Sequence, residues 1–284
     1  MLRTTSYDEV TRFDLARTLA GRGRYWTTAY LVDGLLIDSG CAHSAPELVA
    51  VLADVPLRGI VNTHSHEDHF GANGQLQGQR PDLPVQAHPL ALPVLAAPRS
   101  RQPLQFYRRL MWGWPQPCQG QPIDGGDVVE SEHFRFQVVE TPGHSPDHLC
   151  LYEPDQGWLY TGDLFVGGRD RALRADYDIW AIIDSFKRVA GLPGKTKLFP
   201  GCARVRDNPE VALADKIAYL EELGDRVMAL HQEGWGVNRI ARQLLGRPIW
   251  IEFITLGHFS RRNLVRSYLN MNGGVAESSK ETSE

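Results

Sequence analysis

Three histidines and one aspartate fall within the run THSHEDH, which spans Thr63 to His69. Imidazole nitrogens and carboxylate oxygens in this combination are ligands for zinc, and also for iron or manganese. The run follows directly on the apolar segment 58–63, which is predicted to be a short strand, so its side chains lie on a loop that can bend around an ion. The sequence therefore predicts a metal site with these ligands: His64, His66, Asp68 and His69.

Two later runs each contribute one more candidate ligand at the end of a predicted strand. The run TPGHSPDH places His144 in a Pro-Gly turn after the predicted strand 134–140. The run YTGDL places Asp163 at the end of the predicted strand 157–161. An aspartate after a strand is usually only a turn residue or a helix cap. The two candidates gain weight because they follow the histidine cluster in a fixed order.

The order and spacing of these runs resemble the metallo-β-lactamase superfamily, and most closely its glyoxalase II-like hydrolases. The resemblance rests on HSHEDH, then TPGH, then TGD, and it covers about residues 25–205. It implies an α+β fold of the four-layered αββα sandwich type, here with a helical C-terminal extension.

The same resemblance implies how the ligands are shared between metal positions. The implied cofactor is Zn2+, with one or two ions per chain, and with iron or manganese as alternatives. Zinc lowers the pKa of bound water to about 7, and the catalytic role of orienting this water and taking its proton is assigned to Asp68. The implied positions are as follows: His64, His66 and His144 at the first metal, Asp68 and His69 at the second, and Asp163 between the two.

Cys202 departs from the family pattern. A final ligand histidine is expected in a segment of the form PGH, and here residues 198–205 read LFPGCARV. Three interpretations stay open: the Cys202 thiolate completes the second metal site, at a Zn–S distance of about 2.3 Å; the enzyme uses one metal; or the cysteine is buried and inert. A thiolate ligand would also favour zinc over manganese.

The rest of the chain must position these ligands. Residues 1–208 are predicted to form the catalytic domain, with a lid insertion at about 98–122, where five prolines alternate with aromatic residues. Residues 209–272 are predicted to form a helical C-terminal segment. The small and polar residues 273–284 are predicted to be a disordered tail.

Several single elements are predicted from local patterns. Apolar runs on both sides of Asp33-Gly34 predict a β-hairpin over residues 25–38. Further strands are predicted at 148–152 and 196–199, and a helix at 178–190.

Two groups of side chains are candidates for contact with a substrate. Arg169, Arg171 and Arg174 lie in the loop DLFVGGRDRALR after Asp163, a region that borders the active site in the family resembled. Arginine forks match carboxylates and phosphates, so these residues predict an anionic small-molecule substrate if they face the metals; solvated surface charges are the alternative. In the lid, Tyr107 and neighbouring aromatics are predicted to line an apolar acyl pocket, or else only to pack the lid down.

The bulk properties set limits on the class of function. The chain has 284 residues, 42% of them hydrophobic and 23% charged, as is ordinary for a globular protein. Its net charge of −4 favours neither a general nucleic-acid binder nor a membrane-surface protein. No apolar run approaches about 18 residues, so no membrane partner is expected. The four cysteines form no CxxC pair, and a cytoplasmic setting is expected.

The C-terminal segment suggests two kinds of partner. Between Gly234 and Asn272 there are six arginines and one acidic residue, Glu252. This stretch faintly resembles a helix-turn-helix unit that could contact RNA phosphates. The alternatives are packing against the sandwich or a homodimer surface, and we prefer them because one basic face is a weak signal.

The leading hypothesis from the sequence is a metal-dependent hydrolase that activates water for attack on a thioester, a lactone or a related ester. Two alternatives are a metal-dependent nuclease acting on phosphodiesters and an iron-dependent sulfur dioxygenase. A non-enzymatic protein with a degenerate site at Cys202 is a further alternative, disfavoured because the six other ligands are present.

Overall fold

The computed structural model describes residues 1–102 and 104–270. The predicted tail, residues 273–284, lies outside the described residues. Within the described part of the chain, no helix has the length and apolar character needed to cross a membrane.

The first sheet has seven strands that lie side by side in the order of the sequence. The first four strands are antiparallel, and each of the last three is parallel to the strand before it. The strands are β1 (Leu2–Tyr7), β2 (Val10–Leu19), β3 (Arg22–Val32), β4 (Leu35–Ile37), β5 (Gly59–Val61), β6 (Val85–Ala87) and β7 (Gln121–Pro122).

The predicted hairpin is confirmed as β3 and β4. Asp33 and Gly34 form its two-residue turn and have φ angles of 50° and 80°. Positive φ at both central residues is what the tight turns of right-twisted hairpins require.

The second sheet has five strands in the order β13-β11-β10-β9-β8, and a third sheet pairs β12 with β14. Strands β8 to β11 are antiparallel, whereas β13 runs parallel to β11. The strands are β8 (Val128–Glu130), β9 (Arg135–Glu140), β10 (Leu149–Glu153), β11 (Trp158–Gly162), β12 (Leu173–Arg174), β13 (Lys197–Pro200) and β14 (Phe259–Ser260).

Ten helices are found among the described residues. The first five are short, and the longest lies in the C-terminal segment. They are α1 (Ala45–Val51), α2 (Asn73–Gln79), α3 (Leu92–Ala96), α4 (Pro98–Arg101), α5 (Phe106–Trp112), α6 (Ile179–Ala190), α7 (Pro209–Gln232), α8 (Val237–Leu245), α9 (Trp250–Ile254) and α10 (Arg261–Tyr268).

Alternation along the strands divides the buried side chains into three apolar layers. In β10, Leu149 and Leu151 pack into the core between the two large sheets, whereas Cys150 and Tyr152 pack into the core on the other face of the second sheet. In β4, Leu36 points into a third core, beneath α1 and α2. Because successive strand residues face opposite sides, two sheets with both faces buried produce the four layers predicted from the sequence.

The C-terminal helices belong to the fourth layer. Leu220 of α7, Ile240 of α8 and Val265 of α10 are buried in one core with Phe186 of α6 and the outer face of the second sheet. The helical character predicted for this segment is therefore present, while a domain boundary at residue 208 stays a prediction.

Replacing Gly34 by alanine tests the hairpin turn. Its φ of 80° is unfavourable for a side chain, and an added Cβ would lie 2.8 Å from the carbonyl oxygen of Pro56. We expect Gly34→Ala to lower the free energy of unfolding by about 1–3 kcal/mol, as measured by urea denaturation.

The matched control is Gly78→Ala in α2. An added Cβ there meets no atom within 4 Å, and alanine is favoured over glycine in a helix by about 1 kcal/mol. Equal stability of the wild type and Gly34→Ala would contradict the turn geometry.

Candidate metal centre

The loop after β5 carries the first four predicted ligands and is closed by hydrogen bonds across its base. The backbone N–H of His69 donates to the carbonyl oxygen of His66 over 2.9 Å. The side-chain amide of Asn62 donates to the carbonyl oxygen of His69 over 3.1 Å. The backbone N–H of Ser65 donates to the carboxylate of Asp147 over 2.8 Å. The last of these bonds fixes the loop against the turn that carries His144.

The other two predicted ligands reach this loop from the second sheet. His144 lies in the connection between β9 and β10, and Asp163 directly follows β11. Two glycines allow the approach. At Gly143, where φ is 129°, a Cβ would lie 2.5 Å from the backbone nitrogen of Ile182, and at Gly162 it would lie 2.7 Å from the Thr63 hydroxyl.

Three imidazoles converge, and the ring of His66 lies within hydrogen-bond distance of the other two. His66 Nδ1 lies 2.9 Å from His64 Nε2 and 2.9 Å from His144 Nε2. The hydroxyl of Thr63 donates its proton to Asp38, so its oxygen accepts a hydrogen bond from Nδ1–H of His64. With the proton on Nδ1, the Nε2 atom of His64 carries a lone pair. Nitrogen lone pairs that face each other repel, and a cation placed between them removes the repulsion.

A second group of ligand atoms lies beside the first. His69 Nε2 is 3.5 Å from Asp163 Oδ1 and 4.0 Å from Asp68 Oδ2. Asp163 also joins the two groups, since its Oδ2 lies 3.6 Å from His144 Nε2. The ligand atoms of His64, His66 and His144 lie within 4.8 Å of one another, as do those of His64, His69 and Asp163.

Burial keeps the first three imidazoles in the neutral form that binds metals. The side chains of His64, His66 and His144 are almost inaccessible to solvent. Desolvation lowers the pKa of each well below the ordinary histidine value, and the neighbouring imidazoles lower it further. Neutral imidazole is the ligating species.

The charges around His69 have the opposite effect. Burial alone would lower its pKa, but the carboxylates of Asp163 and Asp38 outweigh burial and hold the pKa of His69 well above its usual value. Burial raises the pKa of Asp68 to about 7, in spite of the nearby His69. A buried group of carboxylates that draws a proton onto a histidine is a group that attracts a cation.

The residues present fit a metal ion, because two ligand atoms that face each other are buried without a hydrogen bond. His69 Nε2 and Asp163 Oδ1 lie 3.5 Å apart as an ion pair, and neither meets the geometry of a hydrogen bond with any described residue. Unpaired buried polar atoms cost about 1–3 kcal/mol each, and coordination of a cation would satisfy both. The first ion would be held by the three converging imidazoles, and the second by His69, Asp163 and Asp68.

Asp38 supports the ligands and was not singled out from the sequence. Its carboxylate accepts a hydrogen bond from His69 Nδ1 over 2.7 Å and from the Thr63 backbone and hydroxyl over 2.8 Å each. The bond to Nδ1 leaves Nε2 of His69 free to bind a metal. The only local signal was an aspartate directly after a strand, which is common at turns.

The comparison of the sequence with known families agrees with the geometry. A family model described as the metallo-beta-lactamase superfamily matches residues 23–201. The chain belongs to the metallo-beta-lactamase superfamily.

Curated members of this superfamily that the chain is similar to include proteins named hydroxyacylglutathione hydrolase. The one from Legionella pneumophila (strain Lens) is 30% identical over 61% of this chain and 59% of the relative. The one from Thermosynechococcus vestitus is 30% identical over 58% of each chain. The chain thus spans about three fifths of the length of these relatives.

Solved structures of metallo-beta-lactamase proteins confirm the predicted fold. A family protein from Thermus thermophilus has a TM-score of 0.65 at 19% identity and covers 93% of this chain and 92% of its own. A second protein, TTHA1623 in a di-iron-bound form, has a TM-score of 0.53 at 32% identity and covers 67% of this chain and 94% of its own.

Cys202, the departure from the superfamily pattern, lies in the cavity next to Asp163. It is accessible to solvent, lines the same cavity as the ligands, and is not part of either group of converging ligand atoms at this site. Desolvation of the thiol, followed by the carboxylate of Asp163, raises the pKa of Cys202 well above its usual value. An inert buried cysteine does not fit this exposure, while ligation by Cys202 stays a prediction.

The predicted substrate residues divide into two groups. Tyr107 and Arg174 line the cavity above the ligands. Arg169 is exposed and lies over the ring of Tyr219, and Arg171 donates to the carbonyl oxygen of Leu245. Neither Arg169 nor Arg171 lines the cavity, because the loop turns them towards the C-terminal helices, so we do not retain them as substrate residues.

A buried ion pair joins the ligand loop to the predicted lid. Glu67, between His66 and Asp68, is fully buried and accepts two hydrogen bonds from the guanidinium of Arg108 in α5. A buried arginine–carboxylate pair is costly to break because the remaining partner would be left charged and unpaired. The lid therefore packs directly on the loop that carries the metal ligands.

Asp38→Asn tests the support of His69. The amide cannot accept from His69 and Thr63 as the carboxylate does, so we expect metal affinity to fall about 10- to 100-fold, as measured by competition with a chromophoric chelator. Asp8→Asn is the control, since Asp8 has a similar φ, 51° against 58°, is exposed, and belongs to none of the groups of potential ligand atoms among the described residues. An equal loss in both variants would contradict the role given to Asp38.

Cys202→Ala and Cys202→His test the seventh predicted ligand. If the thiolate binds the second ion, elemental analysis of the purified protein should give about two metals per chain in the wild type and in the histidine variant, and a value close to one in the alanine variant. Unchanged metal content in Cys202→Ala would exclude Cys202 as a ligand.

Proposed function

We propose that this protein is a metal-dependent hydrolase that cleaves a thioester or a related ester, such as a lactone. The observation that carries the proposal is a set of buried, converging imidazoles and carboxylates at the floor of a cavity, two of whose atoms make no hydrogen bond among the described residues. The similarity to proteins named hydroxyacylglutathione hydrolase supports a thioester as the bond that is cleaved.

The metal is expected to supply part of the chemistry of the proposed reaction. A bound zinc or iron ion supplies Lewis acidity, which makes water more acidic and polarises an acyl oxygen. Iron is retained as an alternative to zinc because TTHA1623 was crystallised in a di-iron-bound form.

Localisation in the cytoplasm and the formation of a homodimer stay predictions.

The residues of the chain position the reactants. Asp68 lines the cavity beside His69, where its carboxylate can accept a hydrogen bond from the attacking water and then take its proton. Tyr177 also lines the cavity, and its hydroxyl lies 3.2 Å from His144 Nε2, so it can donate to an acyl oxygen held above the ligands. Because water is the attacking group, the proposed reaction needs no nucleophilic side chain.

The two alternative activities have less support. A nuclease that uses the basic C-terminal segment would need that segment to present its arginines at the cavity. Instead, the residues of this segment that line the cavity are Ile251, Thr255 and Phe259. The sulfur dioxygenase activity stays a prediction, and it would require iron as the bound metal.

The proposal is tested with purified protein loaded with zinc or with iron and supplied with a hydroxyacylglutathione and a simple acyl thioester. We expect hydrolysis of at least one thioester by the wild type. We expect Asp68→Asn to reduce kcat by about 10²- to 10⁴-fold, the usual contribution of a general base. The exposed Asp54→Asn is the control and should leave kcat unchanged. Absence of thioester and lactone hydrolysis in a metal-loaded protein would overturn the proposal.

A further inference from the structure

A cavity of about 360 Å³ lies directly above the ligand residues. Its floor includes His66, Asp68, His144 and Asp163. Ligand-binding cavities are usually about 300–1,000 Å³ in volume, so this space can take the part of a small molecule next to the bond that reacts.

Apolar residues form much of the cavity wall, and they come from several separate parts of the chain. Met111 belongs to α5, Leu173 and Ile182 belong to the segment that follows Asp163, and Ile251 belongs to α9. No single stretch of sequence therefore contains the cavity wall.

Aromatic contacts join these parts of the wall. The ring of Tyr25 lies 6.3 Å from the ring of Trp112 in α5 and 6.4 Å from that of Trp250 in α9. The ring of Tyr177 lies 6.1 Å from that of Phe259. Because α5 and α9 both contact Tyr25, the lid and the C-terminal segment together bound the cavity.

The positive charges along the described walls are compensated. Arg108 is paired with Glu67, and Arg174 forms a two-fold hydrogen-bonded pair with Asp176 at 2.5 Å. The described cavity wall therefore offers no arginine or lysine without a carboxylate partner. An anionic group in this space would find the charge of each arginine already balanced by a carboxylate, whereas an uncharged apolar group needs no charged partner.

We propose that this cavity is a subsite for an uncharged, apolar acyl group, so that the preferred substrates are thioesters or esters of medium-chain or aromatic acids. In this subsite Ile251 of α9 and Met111 of α5 determine the specificity for the acyl group. The proposal rests on the hydrolase function for its reaction, and it gives the C-terminal segment the role of a substrate wall.

The two helices contain matched control positions. In α9, Ile251 lines the cavity, whereas Ile254 points away and is 43% exposed. In α5, Met111 is buried against the cavity, whereas Leu110 is 46% exposed. Each pair therefore compares one residue that touches the cavity with a neighbour of similar size that does not.

The first experiment measures binding to the metal-loaded protein by calorimetry, with the uncharged amides butyramide, hexanamide and octanamide as probes. We expect the Kd to fall about threefold for each added methylene, as burial of apolar surface predicts, with a negative heat-capacity change. Ile251→Ala and Met111→Ala should each weaken octanamide binding about fivefold or more, while Ile254→Ala and Leu110→Ala should bind like the wild type. Thermal unfolding confirms that each variant is folded.

The proposal is overturned if the Kd does not change along the amide series, or if the control variants weaken binding as much as the cavity variants. Two independent helices are tested, so the loss of one variant through misfolding leaves the other pair to decide.

The second experiment measures kcat/KM of the metal-loaded protein for acetyl, butyryl, hexanoyl and octanoyl thioesters of N-acetylcysteamine. The subsite predicts a rise of about threefold per methylene, reduced in Ile251→Ala. Equal kcat/KM for all four acyl groups would overturn the subsite and leave the hydrolase function intact. Tight binding of octanamide without hydrolysis of any thioester would support the subsite and overturn the hydrolase function.

Discussion

The ligand loop depends on the carboxylate of Asp38, which is bonded at once to His69 and to Thr63. Thr63 in turn fixes the tautomer of His64, so one buried carboxylate orients a ring in each of the two ligand groups. Its position at the end of β4, next to β5, is what allows these contacts. Loss of this carboxylate would leave buried imidazole nitrogens unpaired, which is unfavourable where water cannot replace the bond.

The ion pair of Glu67 and Arg108 joins the ligand loop to α5, which lies in the predicted lid. Glu67 is part of the ligand loop, and Arg108 is part of α5, the same helix that supplies Met111 and Trp112 to the cavity. The position of the metal ligands and the shape of the cavity are therefore linked through one buried contact. The C-terminal segment also contacts α5. A hydrogen bond of 2.7 Å joins Nδ1 of His258 to the hydroxyl of Tyr107 in this helix.

Elements with a clear local pattern were predicted well, and elements that depend on distant partners were not. The hairpin of β3 and β4, the strands β9 to β11 and the helix α6 all agree with the predictions, since alternation or amphipathic spacing marked each one. Strands β1 and β2 were both missed, because most side chains of β1 are exposed and those of β2 do not alternate strictly between buried and exposed positions. The paired strands β12 and β14 were missed because each has two residues and its partner is distant in sequence.

The sequence by itself indicated the superfamily and the sandwich fold through the resemblance of three short runs, and it predicted the residues that converge at the site. The cluster from His64 to His69 follows from short-range spacing, because a loop after a strand is a local structure, whereas His144 and Asp163 gained weight from their order after this cluster. Only the tertiary structure decided which arginines face the cavity, that Arg108 is paired with Glu67, and that Asp38 supports the site. Such contacts join residues far apart in the chain, and the direction of a side chain on a loop is set by the packing of neighbouring segments rather than by its own sequence.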